Sequence, residues 1–458
     1  MSTLQLPARF VARMKQLYGA EAAALFVEDG EPIRGLRVNT LKCSVERFLS
    51  LWQGQIAPVP FCPEGFAVDP AFKAGADPLH HAGAYYMQEP SAMSAVTVLA
   101  PKPGERIGDL CAAPGGKSTQ IASALRGEGL LWSNEYVHSR AKTLAQNIER
   151  CGVRNAVVSN ADTALLAERL PGFFDGVLVD APCSGEGMFR KEEAALAQWS
   201  EENIRLCAVR DAAILDNAAV TVRPGGRLVY ATCTFAPEEN ECQIAAFLNR
   251  HDDFGLVDAG VTFGRPGLPW DAVAPFAADP TPPNADLTLC RRITPADGGE
   301  GHFIALLRRK GETLSPTPAE KRWEGWAMAH DLYRECFADE PRGRLEPVGE
   351  QVRLLPPGMP DTAGIRLIAA GIAVAEVCKN RLEPCHAAFM AAKAADCRQI
   401  VDLSPDDPRL TAFLRGEQIP AEDVRGWTAV AVAGITVGFG KASGGVVKNR
   451  YPKGLRLL

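Results

Sequence analysis

Long apolar runs are missing from this sequence of 458 residues. No stretch of about eighteen apolar residues occurs, which argues against a transmembrane helix. The first residues, MSTLQLPARFVARMKQ, also lack the apolar core of a signal peptide. The thirteen cysteines are odd in number and scattered, so a disulfide framework is not expected. We therefore expect a protein of a reducing compartment, the cytoplasm, with no membrane partner.

An excess of positive charge is missing too. The formal net charge is −6, which argues weakly against a nucleic-acid partner, although the footprint of such a partner is a local patch. Two local runs are basic. One contains Arg34, Arg37, Lys42 and Arg47, and the other contains Lys441, Lys448, Arg450, Lys453 and Arg456, with no acid between Lys441 and Leu458. Either run can bind phosphates or can be solvated surface, and both interpretations stay open.

Internal repeats and low-complexity tracts are also missing, and the order of apolar segments gives the organisation. Between residues 101 and 310, apolar strands alternate with amphipathic helices. They include the strands IGDLCA, GLLWSNE, NAVVSNAD, FDGVLVDAP and GRLVYATCT, and a long helix stopped by Pro224-Gly225-Gly226. This alternation predicts an α/β fold with a doubly wound parallel sheet. Residues 1–100 read as a separate α+β unit. After the Pro-rich SPTPAE (315–320), residues 321–458 read as one helical piece followed by a small, mostly β module.

The segment DLCAAPGGKSTQIA predicts a strand, a turn of small residues and a helix start. Ala112, Ala113, Gly115 and Gly116 let a ligand approach the backbone, and a helix N-terminus offers free N–H groups. The segment is neither GxGxxG nor the P-loop pattern GxxxxGK[ST]. Pro114 fixes the turn, and Lys117 could pair with a carboxylate. A purely structural turn is the alternative.

Two acids follow at the predicted ends of the next strands. Glu135 could accept both hydroxyls of a ribose, and Asp162 could meet an adenine amino group. Alone, each is more often a strand-end or cap residue. Acids ending consecutive strands beside a small-residue turn favour an adenosine-containing cofactor.

Two cysteines follow the fourth and fifth predicted strands, Cys183 in Asp180-Ala181-Pro182-Cys183 and Cys233 in Thr232-Cys233-Thr234. If these strands are neighbours, both thiols face one cleft. A buried cysteine is usually a small hydrophobe, but these sit among Pro, Ser, Gly and Thr. A thiolate that adds to carbon six of cytosine makes carbon five nucleophilic toward a methyl sulfonium, with the base out of its stack and Asp180 beside it. The residues leave open which thiol attacks, and the rigid Pro-Cys geometry favours Cys183.

At these residues the sequence resembles the Sun (Fmu) family of RNA cytosine-5 methyltransferases, and within it the bacterial enzymes of small-subunit rRNA. The matching stretches are LRVNTLK, YYMQEPSAM, DLCAAPGGKSTQIA, FFDGVLVDAPCSGEGMFRK, LVYATCTFAPEENE, GEGHFIALLRRK and KNRYPKGLR. The resemblance implies a Rossmann-like class I methyltransferase domain at 101–310, an N-terminal RNA-binding region and a PUA-like RNA-binding module in the tail. It implies S-adenosylmethionine as cofactor and an RNA substrate, 16S rRNA. We expect the enzyme to act as a monomer.

The resemblance also implies site roles. Cys233 would be the nucleophile, Cys183 the thiol that releases the product, and Asp180 a contact to the target base. The implied cofactor residues are Cys111, Ala112, Ala113, Pro114, Gly115, Gly116, Lys117, Glu135, Arg140, Asp162 and Asp180. No metal is implied.

Two departures from the family pattern stand out: Glu135 replaces the aspartate of many relatives, and Thr294-Pro295-Ala296 replaces an aromatic-Pro-His. The first keeps the reach to a ribose, and the second puts an RNA contact of that loop in doubt. Three alternatives remain. They are a transfer RNA substrate, a non-catalytic RNA-binding or ribosome assembly factor, and a metal site of Cys378, Cys385, His386 and Cys397.

Overall fold

The structure is a computed structural model of the chain, and it describes residues 6–26, 32–312, 327–341, 343–379 and 381–457. The predicted Pro-rich linker at 315–320 lies outside the described residues.

The N-terminal part begins with two helices and continues as a small antiparallel sheet, in the strand order β2-β3-β1-β4. Its α+β composition agrees with the sequence prediction. The elements are α1 (Ala8–Tyr18), α2 (Ala22–Leu25), β1 (Arg34–Val38), α3 (Val45–Leu51), β2 (Ile56–Pro58), β3 (Gly65–Val68), α4 (Pro78–His81) and β4 (Tyr85–Met87).

The central part is an α/β unit built on one large sheet. Its first half contains α5 (Ser94–Leu99), β5 (Arg106–Asp109), α6 (Gly116–Leu125), β6 (Leu130–Asn134), α7 (His138–Arg150), β7 (Ala156–Ser159), α8 (Thr163–Arg169) and β8 (Phe174–Asp180). Its second half contains α9 (Glu193–Gln198), α10 (Glu201–Thr221), β9 (Val222–Thr232), α11 (Glu241–Arg250), β10 (Phe254–Val257), β11 (Arg265–Pro266), α12 (Trp270–Val273), β12 (Arg291–Ile293) and β13 (His302–Arg309).

The strand order of this sheet creates a switch point between β5 and β8. The order is β11-β12-β13-β9-β8-β5-β6-β7, with β5 to β9 mutually parallel and β13 antiparallel to β9. From β5 the chain first moves to one side, through β6 and β7, and then to the other, through β8 and β9. Ligands of such sheets bind beyond the carboxyl ends of the strands at this point. The predicted doubly wound, Rossmann-like sheet is confirmed.

Helices cover both faces of the sheet because successive strand residues are apolar on both sides. Leu131 faces the layer of α5, α6 and α7, where it packs with Ile121 and Leu144. Trp132, the next residue, faces the layer of α8, α10 and α11, where it packs with Leu215. The sequence analysis did not predict the helix α8. It was also wrong about Pro224-Gly225-Gly226, because α10 ends at Thr221 and these residues belong to β9.

The tail contains three helices among its described residues, not the single helical piece that was predicted. Its elements are α13 (Ala327–Cys336), β14 (Arg344–Val348), β15 (Gln351–Leu355), β16 (Leu367–Ala370), β17 (Ile372–Cys378), β18 (Arg381–Pro384), α14 (His386–Ala391), β19 (Ile400–Leu403), α15 (Pro408–Leu414), β20 (Ile419–Pro420), β21 (Gly426–Val432), β22 (Ile435–Ser443) and β23 (Val446–Asn449).

These strands form two small sheets, with the orders β14-β15-β17-β18 and β19-β21-β22-β23-β20. One tail strand instead joins the central sheet: β16 pairs antiparallel with β7. The tail is therefore mostly β, as predicted, but it is attached to the central part through a shared sheet.

Candidate active site

The two cysteines singled out by the sequence lie side by side at the carboxyl edge of the central sheet. β8 and β9 are parallel neighbours, with Asp180 opposite Ala231. Cys233 follows directly after β9, and Cys183 lies in the loop that follows β8. Their Sγ atoms are 3.2 Å apart, and both residues are partly exposed. The two thiols can therefore meet the same reacting ring.

A glycine allows the two cysteine loops to touch. Gly187 donates its N–H to the carbonyl oxygen of Cys233 at 2.8 Å. A Cβ on Gly187 would lie 2.9 Å from that oxygen and 3.0 Å from the carbonyl oxygen of Gly301. Any larger residue at Gly187 must therefore displace the backbone next to the Cys233 thiol.

Asp180 ends β8 beside the thiols and is held by a lysine. Its Oδ2 accepts a hydrogen bond from Lys117 Nζ at 2.7 Å. Burial alone would lower the pKa of Lys117, but the Asp180 carboxylate outweighs burial, and the pKa is raised overall. The sequence prediction that Lys117 pairs with a carboxylate agrees with this geometry.

His302 at the start of β13 is a site neighbour that the sequence did not indicate. Its buried Nε2 lies 3.7 Å from Asp180 Oδ1. Burial, followed by the charge of Lys117, lowers the pKa of His302 to about 4. The imidazole is therefore neutral at physiological pH, and it adds no second positive charge to Asp180.

The small-residue turn connects β5 to α6 at the same edge. Ala112 and Ala113 are buried, and Arg140 on α7 donates to the carbonyl oxygen of Ala113 at 2.9 Å. Gly115 has a φ of 116°, a conformation that favours glycine. The amides of the first turn of α6 have no partners in the helix itself, so they are available to a ligand. Burial raises the pKa of the Cys111 thiol well above its usual range, so this residue serves as a neutral wall.

The two acids predicted to meet the cofactor differ in their surroundings. Glu135 is buried, accepts the N–H of Val137 at 2.8 Å and lies 3.4 Å from Arg140. Asp162 does not close β7, which ends at Ser159; it caps α8 by accepting the N–H of Ala164 at 2.8 Å. Its exposed side chain keeps the second carboxylate oxygen open to the edge of the sheet.

The charges around the two thiols are unequal. Cys183 faces the buried acids Glu239 and Asp211. Its hydrogen bond with Cys233, together with burial and these acids, raises the pKa of Cys183 well above its usual range. Lys117, in contrast, attracts negative charge on Cys233. The surroundings of Cys183 therefore favour its neutral thiol.

The basic stretch near the N-terminus is divided: Arg34 and Arg47 are exposed and stay open to phosphates, whereas Arg37 and Lys42 are engaged by other parts of the protein. Arg37 is 1% exposed and bonds to Gln88 and Thr119, inside the interface between β1 and α6. Lys42 bonds to the carbonyl oxygen of Met390 in the tail, and burial lowers its pKa to about 8. The sequence did not indicate this burial, because a long cationic side chain can lie either on the surface or between two parts of a protein.

The residues that tie the two cysteine loops together were also missed by the sequence reading. Glu186 and Glu239 are buried, and each bonds to the loop of the opposite cysteine. The available signal was the acids of SGEGMF and PEENE, which follow Cys183 and Cys233. Acids inside otherwise apolar loops are unusual unless they have partners.

The metal alternative finds no support in the described residues. No group of three or more His, Cys, Asp or Glu side chains there could hold a metal ion, so Cys378, Cys385, His386 and Cys397 do not form such a group. His386 instead lies 3.3 Å from Glu149 on α7. Over the same residues, no helix has the length and apolar character that a membrane crossing requires.

Four family models match successive parts of the chain. They are 16S rRNA methyltransferase RsmB/F at residues 96–308, the N-terminal domain of 16S rRNA methyltransferase RsmF at 6–90, the RsmF rRNA methyltransferase first C-terminal domain at 332–391, and the methyltransferase RsmF PUA domain at 401–457.

Curated relatives match nearly the whole chain. Ribosomal RNA small subunit methyltransferase F of Aeromonas hydrophila is 34% identical, over 92% of this chain and 90% of its own. The protein of the same name from Vibrio vulnificus is 33% identical, over 99% and 98%. The chain belongs to the 16S rRNA methyltransferase RsmB/F family. The resemblance stated from the motifs is thereby confirmed, and the chain is a member of an RNA methyltransferase family.

Solved structures give the same assignment for the fold. A methyltransferase homologue from Pyrococcus horikoshii is 32% identical and superposes with a TM-score of 0.58, covering 67% of this chain and 96% of its own. NSun6 from the same organism is 23% identical with a TM-score of 0.55, covering 67% and 99%. The similarity to NSun6 supports the fold only.

Proposed function

We propose that this chain transfers a methyl group from S-adenosylmethionine to carbon five of cytosine in RNA, with 16S rRNA as substrate, through a covalent cysteine–cytosine adduct. The observation that carries the proposal is the pair of thiols 3.2 Å apart, beside an Asp180–Lys117 pair at the switch point of a methyltransferase sheet. Family membership supports a methyltransferase, and the thiol pair supports the position on the base.

The thiol pair suits this reaction because carbon five of cytosine is a poor nucleophile. Addition of a thiolate to carbon six turns the ring into an enamine, whose carbon five can attack an electrophilic methyl group. The adduct then loses the proton of carbon five and releases the first thiol. Two sulfur atoms at one ring allow one to attack and the other to assist this elimination.

The charges favour Cys233 as the attacking thiol and Cys183 as the releasing one. Lys117 attracts a thiolate on Cys233, whereas the hydrogen bond with Cys233, followed by burial, raises the pKa of Cys183 well above its usual range. This argument is independent of the family resemblance and opposes the choice of Cys183 that Pro-Cys geometry favoured. It supports the order that the resemblance implied.

Asp180 is suited to hold the target base. Lys117 occupies Oδ2, so Oδ1 can accept a hydrogen bond from the amino group or the protonated ring nitrogen of cytosine. His302, neutral and buried, limits the space beside Oδ1.

The residues at the neighbouring edge fit S-adenosylmethionine. Gly115 and Gly116 leave room at the first turn of α6, and the Glu135 carboxylate is suited to a ribose. The carboxylate oxygen of Asp162 that does not cap α8 could accept a hydrogen bond from an adenine amino group. Bound there, the cofactor supplies the electrophilic methyl group.

The RNA substrate is argued from the family and from the tail. The relatives are named for the small-subunit ribosomal RNA, and a PUA family model matches residues 401–457. Lys441, Lys448, Arg450 and Lys453 are exposed on this module. Transfer RNA remains the alternative substrate, and a non-catalytic assembly factor would not need the thiol pair.

The test is to map 5-methylcytosine in the ribosomal and transfer RNA of cells with and without the gene. Purified protein is then supplied with labelled S-adenosylmethionine and either RNA. We expect one or more cytosines of 16S rRNA to lose methylation without the gene and to regain it in vitro. A label only in transfer RNA selects the alternative substrate, and no labelled cytosine in either RNA contradicts the proposal.

A further inference from the structure

An acid that follows Cys233 binds the residue next to Cys183. Glu239 lies between β9 and α11 and is 0% exposed. Its Oε2 accepts the backbone N–H of Ser184 at 2.9 Å, and its Oε1 shares a hydrogen bond with the Ser184 hydroxyl at 2.5 Å. The Cys233 loop thereby fixes the backbone that carries Cys183.

An acid that follows Cys183 makes the reciprocal contact. Glu186 is 2% exposed, and its Oε2 accepts the Thr234 hydroxyl at 3.1 Å and the backbone N–H of Phe235 at 3.0 Å. Its Oε1 accepts Trp199 Nε1–H at 2.8 Å, which fixes the carboxylate from behind. The Cys183 loop thereby fixes the backbone that follows Cys233.

The residues that accept these two contacts also touch each other. Ser184 Oγ and Thr234 Oγ1, from the residues that follow the two cysteines, are 2.8 Å apart. Each buried carboxylate accepts donors that have no access to water, so removing it leaves those donors unsatisfied. Neither loop can shift without breaking bonds to the other.

We propose that Glu186 and Glu239 are positioning residues, a reciprocal carboxylate latch that holds the thiols of Cys183 and Cys233 in register for successive steps on one base. This inference rests on the proposed function, because only a two-thiol reaction needs this register. A displacement of about 1 Å can cost about 100-fold in rate. A general stabilising role would instead lower stability without a specific loss of turnover.

The substitution Glu239→Gln tests whether the hydrogen bonds of this side chain, and not its charge, hold the loops in place. Glu239 faces Ser184 of the opposite loop, Asp211 of α10, Glu186 and the Cys183 thiol. Burial raises its pKa to about 8, so the carboxyl is largely protonated at neutral pH. In the variant, the Ser184 hydroxyl can turn to accept from the amide while it donates to Thr234. Glu239→Gln should therefore keep the latch, and Glu239→Ala should break it.

The kinetic test compares Glu239→Ala, Glu186→Ala and Glu239→Gln. We expect kcat to fall about 100-fold in both alanine variants, with KM for RNA and the Kd for S-adenosylmethionine within about twofold of wild type. Glu239→Gln should stay within about fivefold. Asp175→Ala is the matched control: Asp175 is also buried and accepts a backbone N–H, from Arg106, but at the opposite edge of the sheet. It should lower the melting temperature and leave the kcat of the folded enzyme unchanged.

A second test measures whether the thiols of Cys183 and Cys233 lie close together in the absence of RNA. Dibromobimane alkylates two thiols that lie close together, and peptide mapping identifies the bridged pair. We expect a Cys183–Cys233 bridge in wild type, Glu239→Gln and Asp175→Ala, and at least a fivefold lower yield in the two alanine variants. Cys183→Ser gives the background from the other cysteines.

The two tests together can overturn the latch. Unchanged kcat and bridge yield in the alanine variants contradict it, and so does a loss of kcat that Asp175→Ala reproduces. If the alanine variants do not fold, Ser184→Ala removes only the hydroxyl contacts, and it should lower kcat and bridge yield about tenfold; no change there also contradicts the latch. If wild type methylates no cytosine, the proposed function fails, while the bridge yields still report the register.

Discussion

At the scale of single residues, two thiols 3.2 Å apart cannot both ionise without strong mutual repulsion. At most one of the two thiols can therefore readily carry a negative charge at a time. The sequence located both thiols and Asp180, because each follows an apolar strand. It could not order the thiols, because the burial of Cys183 and the position of Lys117 next to Cys233 arise only in the fold.

The order of the thiols predicts opposite outcomes for two substitutions. Cys233→Ala should abolish turnover and form no covalent species, since the ring is never activated. Cys183→Ala should allow attack but slow elimination, so that protein and RNA stay joined. The measurement is a protein–RNA band that survives denaturing electrophoresis, enriched in Cys183→Ala and lost in the double variant. A stable band with Cys233→Ala alone would reverse the assignment.

Substitution of Gly187 tests whether the close contact of the two cysteine loops is needed, because it adds only the volume of a methyl group. The methyl group of Gly187→Ala must displace the Cys233 carbonyl oxygen, which lies 2.9 Å from the Cβ position. We expect kcat to fall about 10- to 100-fold while cofactor affinity is retained. Gly75→Ala is the control, because a Cβ there has no heavy atom within 4 Å. Wild-type turnover in Gly187→Ala would show that the contact of the two loops is not needed.

At the scale of elements, hydrophobic periodicity and the positions of Gly and Pro were enough to predict most of the central sheet and its helices. The elements predicted in this way are β5 to β9, α6, α7, α10 and α11. The helix α8 was missed because its seven residues give too little periodic signal. The pairing of β16 with β7 could not be predicted either, because the two strands are far apart in sequence and an apolar strand does not specify its neighbour.

The helix α10 carries a buried acid whose titration should be visible in stability. Burial raises the pKa of Asp211 to about 7, above its ordinary value near 3.8. The folded state thus holds the proton more tightly than the unfolded state, and the resulting stability is present at low pH and is lost as pH rises through about 7. Asp211→Asn removes this dependence.

The measurement for α10 is the free energy of unfolding of wild type and Asp211→Asn between pH 5 and pH 8. The difference should move by about 2 kcal/mol in favour of the variant as pH rises. Groups far from Asp211 titrate equally in both proteins. Glu239, whose pKa Asp211 also raises, is removed from the comparison by repeating it in a Glu239→Gln background. A constant difference over this range would contradict the raised pKa.

At the scale of the whole molecule, the two ends of the chain share one hydrophobic core. Leu36 of β1 and Phe48 of α3 pack in the same cluster as Phe413 and Tyr451 of the tail. Lys42 and the β16–β7 pairing add polar and backbone links between the tail and the rest. The tail module therefore packs directly against the N-terminal part of the protein.

The exposed positive charges of the tail module are expected to contribute to RNA affinity. Lys448, Arg450 and Lys453 are exposed on the module, and Arg450 also lies 3.4 Å from Glu383. Because the chain is acidic overall, phosphate binding depends on such local groups. Reversing all three charges should weaken RNA binding at least tenfold and reduce the slope of log affinity against log salt by about two.

The control for the tail reverses the exposed charges of Lys102, Arg126 and Lys310, which lie at the opposite, amino edge of the central sheet. Both triple variants change the net charge equally, so a loss confined to the tail variant cannot come from overall repulsion. Affinity for S-adenosylmethionine should be unchanged in both, because neither set lies near the turn of Gly115 and Gly116. Equal losses of RNA affinity in the two variants would mean that RNA senses only net charge. An unaltered salt slope in the tail variant would remove these three residues from the binding surface.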